Sequence, residues 1–316
     1  MSRFLARRVV TTIAVLLTVS AMAFSLVLLL PGDPALAILG DQQARDQKLY
    51  EALRAELGLD RPVALQYLHW ATRASRGDLG RSVRTGHPVL GLVIERLAPT
   101  LQLSVLAMVL AVAIALPVGI VSAAWPRSWA DSVGSVFAMG GLGIPHFLLG
   151  ILLIYVFAVW LQWLPPSGYA SPADGVRANV RLMLLPAVTL GLGLAAVLMR
   201  QIRSALLDVL RQEYITTARS KGVSERRVVG IHALRNALVP VLTIIGLQTG
   251  RLFGGAVVVE TIFGIPGVGR LAVDSIFFRD FPVVQGIVLV LAIAVLLSNF
   301  VTDLLYAVVD PRIRYA

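Results

Sequence analysis

The sequence has no cysteine, only two lysines beside twenty-six arginines, and few charges of either sign. Without cysteine there is no disulfide, no thiolate nucleophile and no cysteine-bound metal. Charged residues make up 15% of the chain, against about a quarter in ordinary soluble proteins. No GxxxxGKS or GxxxxGKT stretch occurs, so the chain has no P-loop of its own to cradle the phosphates of ATP. HExxH is missing too, and the four histidines (His69, His87, His146, His232) are scattered. These gaps point away from catalysis: no catalytic residue and no metal-ligating residue is assigned.

What fills the space is apolar. Hydrophobic residues are 57% of the sequence, and uncharged runs long enough to cross a bilayer recur along it. The formal net charge of +10 reads as basic loops held on the cytoplasmic side of a membrane, not as a nucleic-acid surface. The chain opens with Arg3, Arg7 and Arg8 before the run Val9–Leu30. That run is too long for a signal-peptide core and ends on Leu-Pro in place of a small-residue cleavage site, so it reads as a retained first span.

Residues 31–96 read as an extracytoplasmic insertion, with short helices over Ala44–Leu57 and Pro62–Ser75 and a loop over Gly77–His87. Span two falls within Leu97–Trp125, where Ala107, Ala111, Ala115 and Gly119 repeat every four residues and invite a close helix neighbour. Pro126-Arg127 starts a tight turn. The stretch Ser132–Ala173 carries no charge but is short for two crossings. It predicts one span broken at Gly140, Gly141, Gly143 and Pro145, then an irregular tail. Leu182–Met199, Ala237–Val259 and Phe281–Thr302 complete six spans, with a tail over 310–316. Basic residues in the short loops favour both termini inside. The fold class is an all-α integral membrane protein of six transmembrane helices with a small outer helical insertion.

Two further patterns concern packing. Gly191, Gly193 and Ala196 spell GxGxxA inside span four, where close helix packing explains them better than a dinucleotide. Gly246, Gly250 and Gly254 suggest a second packing face in span five, which also carries Gln248, Thr249 and Arg251. An arginine inside a span faces protein or a watery cavity, or reaches to an interface. Those three polar residues, with Glu260 and Pro266 in the glycine-rich stretch Val259–Leu271, are the candidates for a translocation pathway or gate.

Between spans four and five lies a basic, helix-forming hairpin over 200–236. Asp208–Ser220 has helical composition, Gly222 can take the left-handed conformation that reverses the chain, and Ser224 can cap the next helix. Tyr214, Ile215, Val223, Val228 and Val229 offer apolar surface suited to a groove on another protein. A plain basic loop lying on anionic lipid is the alternative.

The stretch EYITTARSKGVSERRVVGIHALRNALVP resembles the cytoplasmic coupling loop of ATP-binding-cassette importer permeases, in the peptide-permease branch. Leu30-Pro-Gly-Asp-Pro-Ala35, Leu57-Gly-Leu-Asp-Arg-Pro62, Gly77-Asp-Leu-Gly80 and Glu260–Leu271 are similar to other landmarks of these binding-protein-dependent inner-membrane components, so the resemblance covers nearly the whole chain. Two departures stand out. Thr216-Thr217-Ala218 replaces the Glu-Ala-Ala of the general importer loop, and Arg235 stands where that loop ends in proline. Only Ala218 and Gly222 fall on the general motif.

The resemblance implies a type I importer permease fold and a bacterial inner-membrane location. It further implies a second homologous permease, two cytoplasmic ATPase subunits that carry ATP and magnesium, and an extracytoplasmic substrate-binding protein. Glu213, Tyr214, Ala218, Arg219, Lys221 and Gly222 would then meet the ATPases, and this chain would bind no cofactor. The cargo implied is a dipeptide or oligopeptide, with glutathione, nickel or another small solute as alternatives. A secondary transporter or channel, and a lipid-docking scaffold, are readings from other classes. Scarce Asp, Glu and Lys within the spans argue against ion coupling.

Overall fold

The computed structural model describes residues 2–29, 47–56 and 60–309. The landmark Leu30–Ala35, the expected tail over 310–316 and parts of the expected Ala44–Leu57 helix lie outside them. In chain order the helices are α1 (Ser2–Leu29), α2 (Gln47–Glu56), α3 (Val63–Ser75), α4 (Val89–Ala124), α5 (Trp129–Gly143) and α6 (His146–Leu153), the last continuing as a π-helical stretch over Ile154–Trp160. Then come α7 (Val176–Leu210), α8 (Glu213–Ser220), α9 (Leu234–Phe263), α10 (Val268–Phe277) and α11 (Phe281–Val309). Among the described residues, five helices are long and apolar enough to cross a membrane, and α5 with α6 makes a sixth if the bent pair counts as one span.

The bend falls where glycine and proline predict it. The two halves meet at 104°, with Ile144 extended (φ −90°, ψ 119°) and Pro145 capping α6 at φ −60°. A residue before proline is pushed out of the helical region by the ring, and proline cannot donate to the turn behind it. An irregular segment over 161–175 follows, as expected.

The chain divides into two compact units. One comprises 1–98 and 270–296, the other 99–269 and 297–316. In the first, Phe24 of α1 stacks edge-on against Tyr67 of α3 at 5.7 Å, and Ser20 Oγ lies 2.8 Å from the Tyr67 hydroxyl. Its loop over 77–88 is tied down by Asp280, which accepts from Ser82 Oγ (2.5 Å) and the Val83 amide (3.1 Å).

In the second unit α7 is the hub. Ala107, Ala111 and Ala115 are fully buried. A methyl on Gly119 would sit 2.8 Å from Ile202 Cγ2, and one on Gly191 would sit 2.9 Å from the Ala107 carbonyl. The small-residue stripe therefore packs as read, and so does GxGxxA, since Ala196 is fully buried and Gly193 underlies the His146 ring. The second glycine face is corrected in part. Gly246 packs on Thr302, but Gly254 faces open space and its neighbour Gly255 meets Leu190 instead. The faces of α4 and α6 that carry Val105, Val109, Ile151 and Leu152 are exposed, as a lipid-facing surface requires.

Candidate functional site

The hairpin between α7 and α9 is built from the inside out. Helix α7 runs past Met199 to Leu210, so α8 starts only at Glu213, after Arg211 and Gln212. Gly222 has φ +77°, its amide donates to the Arg219 carbonyl (2.9 Å), and the Val223 amide donates to the Ala218 carbonyl (3.2 Å). These two bonds close the end of α8 in the Schellman pattern, where glycine is favoured because it has no Cβ to resist positive φ. A methyl on Gly222 would touch nothing, so the turn stands clear of the rest of the chain.

Two expectations are corrected here. Ser224 occupies the cap position of the helical turn Glu225–Arg227, but its side chain makes no capping bond. And Ile215, Val228 and Val229 do not form an outward groove-filling surface: they are buried with Ala123 of α4, Leu206 of α7, Ala233 and Ala237 in a small core beneath the turn. The outward face is polar and basic. Glu213, Tyr214, Arg219, Lys221 and Gly222 are exposed, and Ala218 is half-buried. The Tyr214 hydroxyl donates to the His232 carbonyl (3.3 Å) and accepts from Asn236 Nδ2 (2.7 Å), tying α8 to the returning limb of the hairpin.

Across the turn, Arg219 grips Glu225 with two bonds, Nη2 to Oε1 at 2.6 Å and Nε to Oε2 at 3.1 Å. The hydrogen-bonded guanidinium holds the Glu225 carboxyl below its ordinary range. Sequence reading missed this pair, although a basic and an acidic residue flanking a reversing glycine were the signal for it.

The pathway candidates separate into two places on α9. Gln248 is buried and accepts from Arg251 Nη1 at 3.3 Å, while Arg251 itself is exposed and the Thr249 hydroxyl donates to the Ile245 carbonyl of its own helix. Glu260 lies nine residues beyond Arg251, about 13 Å along the axis. It is fully buried. The Thr100 hydroxyl donates to its Oε1 at 2.6 Å and accepts from the Val268 amide at 2.9 Å. Gly267 and Gly269 give the carboxylate its room, since a methyl on either would collide with it. Pro266 is half-buried in the same turn.

With this architecture in view, comparison with known proteins is decisive. Residues 115–315 match the family of binding-protein-dependent transport system inner membrane components, and residues 1–104 match the companion N-terminal family. The chain belongs to this family of ATP-binding-cassette importer permeases. It is 43% identical over 315 residues to the glutathione transport system permease protein GsiC of Escherichia coli (strain K12), covering 100% of both chains. It is 41% identical over 315 residues to the probable peptide ABC transporter permease protein y4tP of Sinorhizobium fredii (strain NBRC 101917 / NGR234), again covering 100% of each.

Among solved structures, the MetNI methionine ABC transporter in an inward-facing conformation matches with a TM-score of 0.57 at 19% identity, covering 69% of this chain and 96% of that one. An amino acid ABC transporter gives 0.53 at 18% identity, covering 69% and 94%. These likenesses establish the type I importer permease fold. The permease is thus a multi-pass protein of the bacterial inner membrane, and the reading as a self-sufficient secondary transporter is set aside by its family.

Proposed function

We propose that this permease forms half of the translocation path of an importer for small peptides and couples that path to ATPase subunits through the hairpin around 213–222. The supporting observation is the exposed Gly222 turn on a hairpin anchored by a small core shared with α4 and α7. A rigid, outward, basic element beside the end of a long helix is suited to transmit force from a body in the aqueous phase. With no P-loop in its sequence, the chain leaves ATP and magnesium to the partner subunits. A second permease completes the path, and an extracytoplasmic binding protein delivers the cargo. Gln248, Thr249 and Arg251 remain candidates to line the path. The domain reading is a first span to residue 30, an outer insertion over 31–96, a five-span core over 97–309 with the hairpin over 200–236, and a tail over 310–316.

Relatives named for peptides and for glutathione support a common cargo class, since glutathione is itself a tripeptide. Vesicles holding the complete importer should take up labelled di- and tripeptides, and unlabelled glutathione should compete if it shares the site. Uptake of none of these, with ATP and binding protein present, overturns the cargo. Both termini belong inside. Cysteines placed in this cysteine-free chain at the exposed positions Ser75 and Ala173 should label from outside in sealed cells, and one at exposed Ser220 should not.

A further inference from the structure

Where α5 begins, a part-buried ion pair fastens it to α7. Arg203 Nε lies 2.7 Å from Asp131 Oδ1 and Nη2 lies 2.9 Å from Oδ2. The Asp131 side chain is only 8% exposed, Arg203 30%. Oδ2 also accepts from the Arg127 amide at 2.9 Å, in a turn where Arg127 has φ +63°. The Asp131 amide in turn donates to Ser128 Oγ at 3.3 Å. One carboxylate therefore closes the α4–α5 turn and grips α7 at once. No local spacing announces the pair, because its members are 72 residues apart.

We propose that Asp131 and Arg203 are positioning residues that make α5 move as one body with α7, so that force applied to the hairpin reaches the break at Ile144-Pro145. The proposal rests on the reading of the hairpin as the coupling element. Ile215 of α8 and Leu206 of α7 share one small core, and Arg203 stands seven residues before the end of α7, about 10 Å along the axis. A displaced α8 therefore carries the Arg203 end of α7 with it.

Beyond Asp131 the two helices stay in close contact. A methyl on Gly134 would lie 2.7 Å from Met199 Cε, and one on Gly141 would lie 2.7 Å from Ala196 Cβ. Such contacts set how close the helices come and oppose sliding and rotation through packing alone. A planar guanidinium bonded at both carboxylate oxygens resists both, because its geometry fixes direction as well as distance. Buried ion pairs add little net stability over apolar substitutes, and setting register is their best-attested use. Next along the chain is extended Ile144, where the helix ends before Pro145.

The test uses the complete importer in vesicles, with binding protein and a labelled dipeptide, and reads peptide carried per ATP hydrolysed. Asp131→Asn should keep the ATPase subunits bound and ATP turnover near normal, while peptide per ATP falls about tenfold, an ordinary coupling energy. Asp131→Cys combined with Arg203→Cys should be equally uncoupled, and joining the two thiols with a short, reducible bifunctional reagent should restore the ratio until reduction. An unchanged ratio in Asp131→Asn, or no restoration on joining, overturns the proposal. Loss of the ATPase subunits in Asp131→Asn also overturns it, since the pair would then merely shape the hairpin. Gly222→Val in parallel checks the underlying reading: if that variant retains its ATPase subunits and full uptake, the hairpin is not the coupling element, whatever Asp131 does.

Discussion

Of the turns that end a helix on a left-handed glycine, those at Gly222 (φ +77°) and Gly264 (φ +67°) have opposite surroundings. Around Gly222 nothing lies within reach of an added methyl, and the ion pair across the turn is exposed. Beyond Gly264 the chain folds back on Glu260, whose carbonyl accepts from the Ile265 amide (2.9 Å) and whose carboxylate is sealed by Thr100, Gly267 and Gly269. The same backbone device thus serves two ends. One turn is internally braced and left free outward, as a contact with another body needs. The other is consumed by its own packing, which makes it a fixed corner and argues against Glu260 as a freely moving gate.

The comparison breaks most visibly at the sealed turn. Glu260→Ala leaves a cavity and strips the Thr100 hydroxyl of its acceptor, at a cost of about 2–5 kcal/mol by the standard of core truncations. The purified permease in detergent should show a clearly lower unfolding midpoint, and Gly267→Val, which drives a side chain into the carboxylate, should do the same. Wild-type midpoints for both would show that this corner is not sealed. At the hairpin, Ile215→Ala empties its small core. The hairpin is short and meets solvent, so it can relax around the gap, and the loss should fall at the low end of that range. ATPase subunits should then bind weakly while the spans still insert. Firm binding by Ile215→Ala would mean the hairpin core does not position α8.

The sequence made the spans legible because apolar length is a one-dimensional signal. Phe281–Thr302 coincides with the apolar window of α11, and the break at Gly143–Pro145 follows from residues that cannot hold a helix. Gly222 was legible for the same local reason. The inward fate of Ile215, Val228 and Val229 was not. Their outward reading assumed a hairpin without a core, and what covers them is Ala123 and Leu206, supplied by α4 and α7. Nor could spacing reveal that Thr100 serves Glu260, 160 residues away. Buried polar partners are set by packing, and packing is a pairwise property that one linear pattern does not carry.

A smaller effect on stability, with a larger one on partners, is expected at Gly222 itself. Valine at this φ costs about 1–2 kcal/mol, and no neighbour adds a clash. Gly222→Val should therefore melt close to the wild type yet retain little ATPase subunit on purification. Gly222→Asn, whose side chain tolerates the left-handed region, should retain most of it. This is the reverse of the Glu260 variants, which should lose stability first. If Gly222→Val and Glu260→Ala behave alike in both assays, the two turns are not distinct in role.

The smallest expected effect concerns the brace across the open turn. Arg219 and Glu225 are 42% and 57% exposed, so solvent screening limits the pair to about 1 kcal/mol or less. The sign with pH follows from the lowered Glu225 pKa, caused first by the Arg219 hydrogen bond. A carboxylate whose folded pKa lies below its unfolded value of 4.5 stabilises fully above that value. The contribution is lost as pH falls through the folded pKa, when the proton displaces the guanidinium. Binding of ATPase subunits to the hairpin should thus be insensitive to this group from pH 8 down to about 5. Glu225→Gln at neutral pH imitates the protonated form and should weaken that binding by no more than about fivefold, the equivalent of 1 kcal/mol. Added salt should narrow the difference between variant and wild type, because an exposed pair is screened. A tenfold or larger loss in Glu225→Gln, unchanged by salt, would mean that Glu225 touches the ATPase subunit directly and is no mere brace.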